Sequence, residues 1–141
     1  MKNWERTKLK SKNKLKQRIR KGIPTTFRGQ VWYDLARADE LRRRMGSQLY
    51  YELLASEEET KYDDIIERDL NRTFPEHFFF QGETGHGQVA LRNVLKVYSL
   101  YDREVGYCQG MGYIAGILLL HMPPENAFWM LVSLMETYHR R

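Results

Sequence analysis

Two side chains in this sequence are of the kind that act on a phosphoryl group. Arg72 ends a charged stretch, Ile66-Glu67-Arg68-Asp69-Leu70-Asn71-Arg72-Thr73-Phe74-Pro75, which runs into a proline. Gln109 lies in Gly106-Tyr107-Cys108-Gln109-Gly110-Met111, among glycines that let backbone approach a partner closely. A guanidinium is planar, permanently charged, and bonds phosphate oxygens as a fork. A carboxamide accepts from a water and donates to a phosphate at once, so it orients a nucleophile without changing charge. Such a pair suits the completion of a phosphoryl-transfer site carried by another molecule, and is poorly suited to running hydrolysis alone. The two residues are 37 positions apart, so only tertiary structure can bring them together. Asp69 stands at i to i+3 from Arg72 and shares its helix face. Arg28, in Arg28-Gly29-Gln30-Val31-Trp32, is expected to pair with Asp69 as a prop for the first segment.

The elements that must position these residues read as helices. Gly22-Ile23-Pro24 punctuates the chain, and proline is comfortable in a first helical turn. Val31, Leu35, Ala38, Met45 and Leu49 then make a helical stripe, with a break expected near Gly46. Ser56-Glu57-Glu58-Glu59 matches a capping box, and a helix is expected from about Lys61 to Asn71. Residues 81–88 read as a glycine-rich loop, followed by a stripe of Leu91, Val94, Leu95, Tyr98 and Tyr101. Tyr113 to Leu120 is apolar all round, as in the middle of a bundle. Pro123-Pro124 stops it and starts a last helix through Phe128, Leu131, Val132, Met135 and Tyr138, with Trp129 and Leu134 on other faces. Phe78-Phe79-Phe80 reads as a buried connection and no segment alternates as a strand, so the expected fold class is an all-α helical bundle. The last two helices are apolar on more than one face, which implies further helices downstream or self-association through those faces.

Composition sets the outer limits. The chain has 141 residues, 42% hydrophobic and 29% charged, enough for one soluble domain with a core. The net charge of +5 is concentrated in an N-terminal arm: residues 1–21 carry ten Lys/Arg and one Glu, and the remainder is acidic. Only Trp4, Leu9, Leu15 and Ile19 interrupt that charge, so the arm reads first as a solvated leader. An anionic membrane surface or nucleic acid is the partner it would otherwise suit. The stretch from Met111 to Met122 is too short to span a membrane, and no signal-like segment opens the chain, so a cytoplasmic setting is expected. The lone Cys108 forms no intrachain disulfide and reads as a small buried residue. His77, His86, His121 and His139 lack metal-ligand spacing, and the glycines of 81–88 lack the Lys-Ser/Thr of a phosphate loop, so no metal or bound nucleotide is expected. Tyr98, Tyr101, Tyr107 and Tyr113 read as core.

Three motifs in order carry a resemblance. Gly22-Ile23-Pro24 with Arg28-Gly29 and Trp32, then Ile66-x-x-Asp69-x-x-Arg72, then Tyr107-x-Gln109, resemble the signatures of the TBC domain, the GTPase-activating domain for Rab GTPases. The resemblance runs from about Gly22 to the C-terminus. It implies a division into a basic arm, 1–21, and a partial TBC domain, 22–141, equivalent to the N-terminal subdomain with the later helices missing. It also implies an activator acting in trans, with Arg72 as an arginine finger and Gln109 as a glutamine finger. Asp69, Arg28, Trp32 and Tyr107 would support them, with Ile66 as a packing anchor. The partner would be a Rab-family GTPase bringing its own GTP and Mg²⁺, in vesicle trafficking, in the cytoplasm or peripherally on intracellular membranes. The rival class is a non-catalytic Rab-binding or scaffold module.

Overall fold

A computed structural model describes residues 12–82 and 85–139, and within them all regular structure is helical. Eight α-helices follow in order: α1 (Lys12–Arg20), α2 (Thr25–Leu35), α3 (Ala38–Met45), α4 (Leu49–Leu54), α5 (Asp63–Leu70), α6 (His86–Tyr101), α7 (Met111–Leu119) and α8 (Pro124–His139). A 3₁₀ turn at Phe78–Phe80 lies between α5 and α6. Of the basic arm, Trp4 and Leu9 lie outside the described residues, and Lys12–Arg20 is helical.

The hub is α6, which packs against α4, α5, α7, α8 and the 3₁₀ turn. Its Leu91, Val94, Leu95 and Tyr98 are buried at the expected helical spacing. Helix α8 closes the core with Phe128, Trp129, Leu131 and Val132, each almost fully enclosed. Burial of each such side chain is worth about 1.5–3 kcal/mol relative to exposure. The side chain of Tyr138, expected on the same stripe, lies outside the described residues. Polar ties fix α8 to the N-terminal helices. Ser133 Oγ donates to the Ala36 carbonyl at 2.7 Å. Arg42 Nε reaches Glu125 Oε1 at 2.7 Å, and Tyr51 donates to the other carboxylate oxygen at 3.1 Å.

Four expectations about local structure need correction. The Phe78–Phe80 connection is fully buried only at Phe80, and Phe78 is 81% exposed because the 3₁₀ turn carries it outward. The stripe from Val31 to Leu49 spans three helices, because the chain turns at Arg37 (φ 54°) as well as at Gly46. Leu35 and Met45 consequently face outward, and Tyr33, Leu41 and Tyr50 take the core positions. The Ser56–Glu59 capping box does not start a helix. Ser56 Oγ accepts from the Glu58 N–H, and Thr60 Oγ1 accepts from the Tyr62 N–H and donates to Asp63, so α5 begins at Asp63. The loop at 81–88 is shorter than expected, since α6 already begins at His86.

Helix α7 buries Met111, Ala115, Leu118 and Leu119, while Tyr113, Ile114, Ile117 and Leu120 stay exposed on its outer side. The expected uncovered apolar face is therefore present on α7, whereas on α8 the residues from Ala127 to Val132 are buried.

Candidate functional site

Helix α5 turns Ile66, Asp69 and Leu70 inward, and Ile66 anchors it in the core at 2% exposure. Arg72 follows the helix end, with 58% of its side chain accessible to solvent. Its Nη2 pairs with Asp69 Oδ1, an ion pair between an exposed guanidinium and a buried carboxylate. Tyr107, buried, donates its hydroxyl hydrogen to Asp69 Oδ2 at 2.6 Å. Asp69 thus has one oxygen on each motif and joins them.

Backbone bonds complete the arrangement. Thr73 Oγ1 donates to the Asp69 carbonyl at 2.7 Å, and Tyr113 donates its hydroxyl to the Arg72 carbonyl at 3.2 Å. Phe74 then reverses the chain at φ 50°, a conformation costing an L-residue about 1–2 kcal/mol. The reversal is held by packing: the Phe74 ring stacks on Phe80 at 5.6 Å and meets Tyr113 edge-on at 5.4 Å. Burial, and next the hydrogen bond to Asp69, push the Tyr107 hydroxyl well above the ordinary tyrosine range. It therefore stays protonated and remains a donor.

On the other side, Gly106 (φ 60°) brings the second motif against α5. A Cβ at that position would stand 1.8 Å from the Tyr62 ring, so only glycine fits. Gly106 and Tyr107 lie inward, Cys108 and Gln109 outward. The expectation of a buried Cys108 is overturned for that reason: Tyr107 takes the inward position and the next side chains face solvent. Arg72, Gln109, Asp69, Thr73, Tyr107 and Tyr113 line one small cleft of about 120 Å³.

Arg28 does not prop Asp69. Both Asp69 oxygens are occupied by Arg72 and Tyr107, and Arg28 Nε donates instead to the Ile23 carbonyl at 2.9 Å. Trp32 meets His121 edge-to-face at 4.9 Å. Between them, Gly29 lets α2 lie against the chain after α7, where a Cβ would come 2.1 Å from the His121 carbonyl oxygen. Arg28 and Trp32 thus fix α2 and the turn before it, and do not line the cleft. Burial, then the charge of Arg28, lower the His121 pKa.

Thr73 and Tyr113 are contributors that sequence reasoning missed. Tyr113 was expected in the core and is instead 48% exposed at the cleft. Its signal was position: it stands four residues after Gln109, one turn into α7. No cluster of three or more His, Cys, Asp or Glu able to hold a metal occurs among the described residues. No helix among them is long and apolar enough to cross a membrane.

The Rab-GTPase-TBC domain profile matches residues 6–141. The chain belongs to the TBC-domain family. A mouse protein, TBC1 domain family member 10A, is 43% identical over 136 residues, covering 96% of this chain and 27% of the relative. The Caenorhabditis elegans Rab GTPase-activating protein eat-17 is 44% identical over 140 residues, covering 99% of this chain and 15% of that protein. Among solved structures, the Chlamydomonas flagellar RabGAP TBC domain superposes with a TM-score of 0.82 at 35% identity, over 90% of this chain and 44% of that one. The TBC chain described here therefore spans less than half of that solved domain, and about a quarter or less of these curated relatives.

Proposed function

We propose that this TBC chain accelerates GTP hydrolysis on a Rab-family GTPase by lending it Arg72 and Gln109. The observation that carries the reading is the cleft itself. It holds an exposed guanidinium and an exposed carboxamide on one rim, with a buried carboxylate backing the arginine. The names of the relatives agree with it.

In this reading the GTPase brings GTP and Mg²⁺, and this chain holds neither. Arg72 uses one nitrogen on Asp69 and offers its other N–H groups to the oxygens of the transferring phosphoryl group. Gln109 orients the attacking water and donates to the same group. Asp69 stays away from the phosphate, where its charge would be repelled, and fixes the angle of the guanidinium. An arginine supplied in trans is worth about three to five orders of magnitude in rate.

Single-turnover GTP hydrolysis across a panel of Rab GTPases tests this. Arg72→Ala is expected to lower the stimulated rate by about two to five orders of magnitude with the fold intact. An unchanged rate would sink the mechanism. GTP-dependent Rab binding by the unsubstituted chain, without any acceleration, would favour the scaffold reading instead.

A further inference from the structure

A second concave surface lies between α1 and α2. It is a groove of about 720 Å³, and its apolar lining includes Ile19, Ile23, Pro24, Phe27 and Val31. Phe27 is 55% exposed although it sits on a well-formed helix. The groove is held open by a defined turn. The Gly22 N–H donates to the Ile19 carbonyl at 3.0 Å, and Arg28 Nε caps the Ile23 carbonyl at 2.9 Å. Ile19 from α1, Ile23 from the turn and Phe27 from α2 thereby converge on the one groove.

The rim of this groove is cationic. Arg18 and Lys21 line it, α1 contains no acidic residue, and residues 1–21 hold ten Lys/Arg against one Glu. At the far end Asp34 is engaged by Gln30 at 3.2 Å. An apolar trough with cations along its α1 edge, and its one carboxylate at the far end, calls for an amphipathic anionic partner at the α1 side. The cations of α1 fall at positions 12, 14, 16, 18 and 20 and so occupy several sides of the helix. Such a spread suits a laterally fluid anionic surface, which needs no register, better than a protein face with charges at fixed points.

We propose that the α1–α2 groove seats this chain on an anionic lipid bilayer, with Phe27 and Ile23 entering the headgroup–acyl boundary and Arg18 and Lys21 meeting lipid phosphates and carboxylates. The body beyond residue 21 is net acidic, so the same surface repels it and the chain is oriented with α1 towards the membrane. This attachment is independent of the cleft at Arg72.

The test is sedimentation of the full chain with phosphatidylcholine vesicles, with and without about 30% phosphatidylserine. Binding is expected only with phosphatidylserine, and to weaken steeply with salt. Arg18→Glu combined with Lys21→Glu is expected to weaken it by about tenfold or more. Phe27→Ser is expected to weaken it roughly fivefold, with an unchanged thermal melt because the ring is exposed. Equal binding to both vesicle types would overturn the proposal, as would full binding by the Phe27→Ser chain. It also fails if vesicles are ignored while polyglutamate binds in a Phe27-dependent way, which would assign the groove to an acidic protein. If Phe27→Ser alters the melt, the charge-reversed pair decides the matter, since Arg18 and Lys21 are both exposed.

Discussion

Tyr107 and Asp69 are separated by 38 positions in sequence and joined by a buried hydrogen bond of 2.6 Å. This bond links the two motif segments side chain to side chain, and the angle of the Arg72 guanidinium depends on it through Asp69. Tyr107→Phe removes the donor and leaves one buried carboxylate oxygen unsatisfied. The expected cost is about 1–3 kcal/mol of folding stability, read from the urea midpoint at unchanged slope. Stimulated GTP hydrolysis, if the proposed function holds, should fall with it while Rab binding changes less.

Gly106→Ala tests the contact between the second motif and α5. The new methyl group would meet the Tyr62 ring at 1.8 Å and would strain a residue at φ 60°. A loss of about 1–3 kcal/mol is expected in denaturant unfolding. Tyr62→Ala added to it should recover part of that loss, because it relieves the clash and leaves the backbone strain.

Trp129 is fully buried, and its indole nitrogen has no acceptor among the described residues. Trp129→Ala should cost about 3–5 kcal/mol, a large share of the roughly 5–15 kcal/mol that holds a folded chain together. Trp129→Phe keeps an aromatic ring against Phe128 and Tyr101 and removes the unpartnered donor. Its cost should stay near about 1–2 kcal/mol, and calorimetry of the pair measures the difference.

His121 gives the stability a pH dependence of known sign. Burial and the nearby Arg28 charge lower its pKa below the ordinary 6.5. Between the folded value and 6.5 the unfolded chain binds more protons than the folded one. The stabilisation is therefore complete above about pH 6.5 and is lost as the pH falls through the folded pKa. His121→Gln should flatten that acid limb of the stability curve, followed by thermal melts from pH 7.5 to 5.

Much of this was legible in the residues. The stripe of α6 predicts its buried face because a long, uninterrupted helical period leaves one solution, whereas α8 is enclosed all round from Ala127 to Val132, Trp129 included, so its stripe names only part of what it buries. The spacing of Asp69 and Arg72 gave a shared face, since i to i+3 is local geometry. What failed was non-local or unpunctuated. Arg37 takes a left-handed turn without glycine or proline to announce it, so the N-terminal stripe was read across a break. The partner of Asp69 could not be chosen by charge alone: a second arginine, Arg28, was available, and the chain satisfied it with a carbonyl five residues away. Residue type places Cys108 and Tyr113 in the core, whereas Cys108 faces outward because Tyr107 just before it turns inward, and Tyr113 lies on the outer side of α7.

The ion pair of Arg72 with Asp69 has one more consequence, for the kinetics of encounter. The guanidinium and the carboxylate cancel at close range, so the cleft casts almost no field into solvent. In the proposed function a nucleotide-bearing partner is therefore not drawn to the cleft from a distance, and Arg72→Ala, which leaves the Asp69 charge uncompensated, is expected to slow association modestly, most at low salt. On contact the pair is kept: in the proposed function one nitrogen stays on Asp69 and the remaining N–H groups turn to the phosphoryl oxygens. Under the proposed function the arginine thus acts on the complex once it has formed and plays little part in finding it.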